Sequence, residues 1–214
     1  MDEDISIIDT RTRNEKIKNF FVKNKTKIVV FLVLIIVIFI IFFGFKEFKQ
    51  SERKQISDVY NTAIIDYSNG SLDSIKEKLI MIIKEKDPTY SPLSLYFIID
   101  NELIENQKEV NDLFDVLINK TSLEKEIKNL IIYKKALYNA DKGSESEILD
   151  ILSPLINSKS IWKSHGLYLA AEYFYSKNEI NKSKEFFNQI LSVENANPDI
   201  IKKTQKRLNR DFSE

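Results

Sequence analysis

The 214-residue chain is predicted to be all-α, with a single transmembrane helix followed by an array of helical hairpins. Three observations predict this. Residues 28–45 form an unbroken apolar run. After residue 50 the apolar residues recur at helical spacing. Gly and Pro number only four each, where average usage would give about 25 together. The special turns of hairpin-rich all-β chains therefore have little to be made from.

The apolar run is IVVFLVLIIVIFIIFFGF, Ile28 to Phe45. As a helix it spans about 27 Å, close to the roughly 30 Å hydrocarbon core of a bilayer. Phe48 and the stems of Lys27 and Lys46 extend it. A cleaved signal peptide would have a shorter core and a small-residue cleavage site, and here Phe-Lys-Glu-Phe follows. A lipoprotein anchor needs a Cys, and there is none. A buried soluble helix would show a polar face. The expected parts are thus a basic tail (1–27), a transmembrane helix (28–45) and a large domain (46–214).

Flanking cations set the expected direction. Residues 11–27 carry seven Lys and Arg, and residues 46–62 carry four. The positive-inside rule puts the N-terminus in the cytoplasm and residues 46–214 across the membrane. Ile17, Phe20 and Phe21 give the tail a short amphipathic pattern, and its lysines suit anionic headgroups as well as topology.

Whole-chain charge is balanced, with 32 Lys+Arg against 32 Asp+Glu. The large domain has 25 basic and 27 acidic residues, a poor footprint for nucleic acid. The lack of Cys excludes disulfides, zinc ribbons, cysteine nucleophiles and cysteine-ligated Fe–S clusters.

Within the large domain the spacing predicts helices near 51–68, 72–85, 91–105, 108–119, 123–140, 145–157, 161–177, 180–192 and 198–210. Asn69-Gly70 should end the first. Ser91-Pro92 and Asn197-Pro198 should each begin one. Thr121-x-x-Glu124 and Ser144-x-x-Glu147 have capping-box spacing, and Pro154 should bend or shorten a last turn. Turns centred near Gly70, Glu105, Gly143 and Asn178 recur every 35 to 38 residues. Seven residues before them stand Ala63, Ile98, Ala136 and Ala171. Five after stand Ile75, Val110, Ile148 and Ser183; nine after, Leu79, Phe114, Leu152 and Phe187; twelve after, Ile82, Leu117, Leu155 and Ile190. Small residues let paired helices approach, and large ones plug the next groove.

This pattern resembles a tetratricopeptide array of four degenerate repeats, and so implies a right-handed stack of helical hairpins. The best match is LYLAAEYFYSKNEINKSKEFFNQI (167–190), and a Lys- and Arg-rich helix at 198–210 closes the row. The competing reading is an irregular helical bundle or solenoid. The order of parts is also similar to one bitopic inner-membrane family, the ancillary SecYEG translocon subunit. The resembling stretches are IKNFFVKNKTKIVVF (17–31), TYSPLSLYFIIDNELIENQKEV (89–110) and SIWKSHGLYLAAEYFYSKNEINKSKEFFNQIL (160–191). Phe45 and Phe48 stand where that family often has Trp or Tyr. The resemblance implies a cell inner-membrane protein with a periplasmic helical domain. Its implied partners are the SecYEG translocon, periplasmic chaperones and translocating chains. A scaffold for another envelope assembly, in cytochrome maturation, cell division or outer-membrane biogenesis, is the alternative.

Reactive constellations are not found. The single histidine, His165, excludes paired-His metal sites and reads as a packing or surface residue beside Trp162. No phosphate-binding glycine loop or nucleophile elbow occurs. The expectation is a non-enzyme without catalytic residues, cofactor or metal. Aromatic residues concentrate in the first helices of the pairs, and such helices line the concave surface of these arrays. Tyr96, Tyr133, Tyr168 and Tyr175 are the candidate partner-groove residues, for an extended or helical segment of another protein. The alternative has most of the aromatics filling the core, with alternation such as Phe174 inward and Tyr175 outward allowing both.

Overall fold

A computed structural model describes residues 2–70 and 74–212, with the backbone alone for 2–14. The described residues form nine α-helices and no strand. They are α1 (Asp2–Ser68), α2 (Ile75–Glu85), α3 (Tyr90–Asp100), α4 (Gln107–Lys120), α5 (Lys125–Asn139), α6 (Glu145–Ile156), α7 (Lys163–Ser176), α8 (Ile180–Leu191) and α9 (Pro198–Asp211). The chain divides into two compact units, residues 1–55 and 56–214.

In the first unit, no side chain between Ile28 and Phe45 is buried. Among the described residues, α1 is the one helix long and apolar enough to cross a membrane. The sequence predicts a separate helix starting near residue 51. Instead α1 also takes in residues 46–50, because Lys46-Glu47-Phe48-Lys49-Gln50 offers neither a capping residue nor a helix breaker.

In the second unit each helix from α2 onward packs on the next, and α2–α4, α5–α7 and α7–α9 pack as well. The last turns of α1 join through Tyr60 against Tyr90 and Tyr67 against Phe97, with ring centroids 5.7 and 5.0 Å apart. Lys78 Nζ donates to Asp66 Oδ2 at 2.8 Å. The core forms three clusters in chain order. The first runs from Ala63 to Ile131, the second from Ile132 to Phe174, and the third joins Leu167, Ala171, Phe187, Ile190 and Ile200. All sixteen positions of the recurring pattern around the four turns are buried, none more than 2% exposed, the polar Ser183 included.

Cap chemistry agrees with the sequence in part. Ser144 Oγ accepts from Glu147 N, and Ser144 N donates to Glu147 Oε2 at 2.8 Å, a complete capping box. Asn197 Oδ1 accepts from the N–H groups of Asp199 and Ile200, with Pro198 in the first turn. Gly70 takes φ 84°, as the end of α1 requires. Pro154 falls two residues before α6 ends.

Three expectations are corrected. Thr121 does not cap α5: that helix begins at Lys125, and Thr121 Oγ1 donates to Val116 O at 3.1 Å, ending α4. Ser91 does not cap α3, which begins one residue earlier. Asp87 Oδ1 accepts there from Thr89 N and Tyr90 N at 2.8 and 2.7 Å, while Ser91 Oγ donates to Ile82 O. Helix α3 stops at Asp100, short of 105. Glu102 takes φ 51°, its N–H reaches Ile99 O, and Leu103 N–H reaches Ile98 O. That paired closure is a Schellman end made without glycine. Asn178, at φ 62°, closes α7 the same way.

Candidate functional site

In the second unit α5 packs on α7 and α7 on α9, and the tyrosines singled out by the sequence each meet a residue of another helix or its end. The periodicity places Tyr96 on α3, Tyr133 on α5, and Tyr168 and Tyr175 on α7. All four are half-buried. They do not converge on one another; each has its own partners.

Tyr96 faces α5. Lys134 Nζ lies 4.5 Å from its ring centroid, within cation–π range. Its hydroxyl is buried without a hydrogen-bond partner, and burial pushes its pKa up to about 12. The ring edge, with Ile99, Asp100, Lys134, Leu137 and Tyr138, lines a cleft of about 160 Å³. Leu137 is 51% exposed there. Tyr96 can therefore offer a partner its ring but not its hydroxyl.

Tyr133 faces α7. It stacks on Trp162 at 6.0 Å and meets His165 edge-on at 5.9 Å, and Trp162 and His165 are 5.0 Å apart. His165 is a half-buried packing residue with Nδ1 buried and unpartnered. Burial, and then the nearby charge of Lys203, lower its pKa. Beside this cluster Ser160 Oγ donates to Glu126 Oε2 at 2.6 Å, tying the start of α5 to the loop before α7. That hydroxyl is the main reason the Glu126 pKa is lowered.

Tyr168 packs edge-on against Phe187 of α8 at 5.5 Å. Burial, followed by a hydrogen bond and the charge of Glu172, pushes its pKa up to about 12 against the opposing Arg207 and Arg210. Tyr175 faces α9, where the Arg207 guanidinium lies 4.3 Å from its ring and Phe212 meets it edge-on. Phe174, its neighbour, is 1% exposed, so the inward–outward alternation holds. Arg207 is bidentate to Glu172, with Nε to Oε1 at 2.8 Å and Nη2 to Oε2 at 2.7 Å, and also pairs with Asp211. Tyr175 thus has a face already covered by the closing helix.

Leu137 lies beside Tyr96, Trp162 beside Tyr133 and Arg207 beside Tyr175, and the periodicity did not single them out. Leu137 had a signal, an apolar residue off the buried stripe of its helix. A larger cleft of about 430 Å³ lies elsewhere, between the α6–α7 and α8–α9 connections, and Ser158, Ile161, Lys163, Leu167, Gln189 and Val193 help line it. None of the four tyrosines reaches it. Among the described residues no group of three or more His, Asp or Glu is placed to hold a metal ion.

Comparison with protein-family models, with curated proteins and with solved structures finds no match to this chain. Fold and surface define the class: an all-helical protein with one candidate membrane span and a second unit of sequentially packed helices.

Proposed function

We propose that the chain is a single-pass inner-membrane protein whose second unit is a tetratricopeptide-like, right-handed array that binds proteins on the periplasmic side. It associates with the Sec translocon and helps pass newly translocated chains to periplasmic chaperones. One observation carries the reading: four successive helix pairs bury the same positions relative to their turns. Such a repeat aligns its first helices along one surface. The half-buried Tyr96 and Tyr133, with the exposed Leu137, supply apolar area there for an extended or helical segment.

The anchor confines this surface to a thin layer beside the bilayer. Effective concentration at an exit site rises accordingly, so modest affinity suffices and no chemical turnover is needed. Purification in mild detergent is the test, with crosslinkers placed along residues 46–60. Recovery of Sec subunits and periplasmic chaperones is expected. Recovery of another envelope assembly instead replaces the translocon assignment. Protease added from the outer side should digest the second unit in spheroplasts; digestion only from the cytoplasmic side reverses the topology.

A further inference from the structure

Helix α9 divides its residues sharply. One side carries Ile200, Thr204, Leu208 and the Arg207–Asp211 pair toward the third core cluster and α7. The other side carries Lys202, Lys203, Lys206 and Arg210, all exposed. Arg210 is tied to Asp211. The three lysines make no ion pair with any described residue, and Asp199, one turn before Lys203, is the only acidic group on their side of the helix. The exposed residues of α9 include no large apolar side chain. Residues 198–211 hold five basic and two acidic groups, inside a 46–214 stretch whose balance is acidic.

We propose that this lysine face is a docking surface for anionic phospholipid headgroups. Charge complementarity names the occupant. Three unpaired ammonium groups along one helix face match a plane of phosphates. The missing apolar wedge fits adsorption at the headgroup level without insertion. The candidate span of α1 keeps the second unit near a bilayer at all times, so adsorption needs no search in solution. Three lysines strengthen it by about a hundredfold in anionic over neutral membranes, at roughly fivefold each. The inference rests on the membrane anchorage and not on the protein-binding reading.

The native chain has no cysteine, so Gln205→Cys allows one fluorescent label on the α9 face. Full-length labelled protein is reconstituted in phosphatidylcholine vesicles with or without phosphatidylglycerol, containing a headgroup-linked quencher. Strong quenching is expected only with phosphatidylglycerol. High salt should abolish it, as should the triple variant Lys202→Gln, Lys203→Gln, Lys206→Gln, whereas the corresponding triple Lys→Arg variant should keep it. Equal quenching in both vesicles, or quenching unchanged in the triple Gln variant, overturns the proposal. Flotation of the unlabelled chain with both vesicle types checks the anchorage. Failure to float with either overturns the anchorage and this proposal together.

Discussion

Asn111 and Asn139 hold α4 and α5 together through a reciprocal amide pair. Asn111 Nδ2 donates to Asn139 Oδ1 at 2.9 Å, and Asn139 Nδ2 donates to Asn111 Oδ1 at 2.8 Å. Asn139 also donates to Lys135 O and accepts from Gln107 Nε2, so its side chain is fully used at 5% exposure. Asn139→Ala strands groups on both neighbours and should destabilise the second unit by about 2–3 kcal/mol. Urea denaturation followed by circular dichroism reads this directly. Asn111→Ala combined with Asn139→Ala should cost less than the sum of the single changes, because the two share one interaction.

The buried Tyr96 hydroxyl gives the opposite sign. A donor without a partner is a liability, and removing it leaves the ring and its Lys134 contact in place. Tyr96→Phe should stabilise the second unit by about 1 kcal/mol. A loss of stability in the same denaturation experiment would mean that the hydroxyl finds a partner after all.

His165 links pH to the aromatic cluster. Its pKa is lowered in the folded chain, chiefly by burial, so the unfolded chain binds more protons in the interval between that lowered value and the ordinary 6.5. The stability it contributes is complete above about 6.5 and is lost as pH falls through the folded value. The thermal midpoint should therefore drop on acidification below about 6.5, and His165→Gln should flatten that part of the profile. Trp162 is the only tryptophan and touches His165, so its emission should report the same protonation with a midpoint below 6.5.

Arg207 is the clasp of the closing helix. It engages Glu172 in bidentate fashion and lies over Tyr175. A lysine supplies neither the fork nor the flat stacking surface. Both Arg207→Ala and Arg207→Lys should raise hydrogen exchange in residues 198–211 well before exchange rises in α3 to α6, with the alanine change the larger. Uniform protection in both variants would show that Ile200 and Leu208 alone hold α9 in place.

How far the sequence reached follows from the range of each interaction. Burial positions such as Ala171, Ser183 and Phe187 were legible because a helix repeats every 3.6 residues and the buried stripe keeps that period. Ser144 and Asn197 were legible because their caps close within three residues. Thr121 was not, since the same three-residue spacing serves a helix start or a helix end depending on where α4 stops. The end of α3 was hidden because Glu102 adopts a left-handed conformation usually given to Gly or Asn. The surface was least legible. Tyr96, Tyr133 and Tyr175 are alike in being half-buried on their helices. What separates them is the residue each meets, Lys134 of α5, Trp162 just before α7 or Arg207 of α9, and only the folded chain brings that residue alongside.

Packing of each helix on its immediate successors also fixes the order in which the protein can be made. In the second unit the packed helix pairs from α2 to α9 lie one or two places apart along the chain, and contacts of that short range favour fast assembly. A polypeptide delivered N-terminus first can complete its early hairpins while later ones are still being synthesised. The last to arrive is α9, and until it does the aromatic edge of α7 stays open to water.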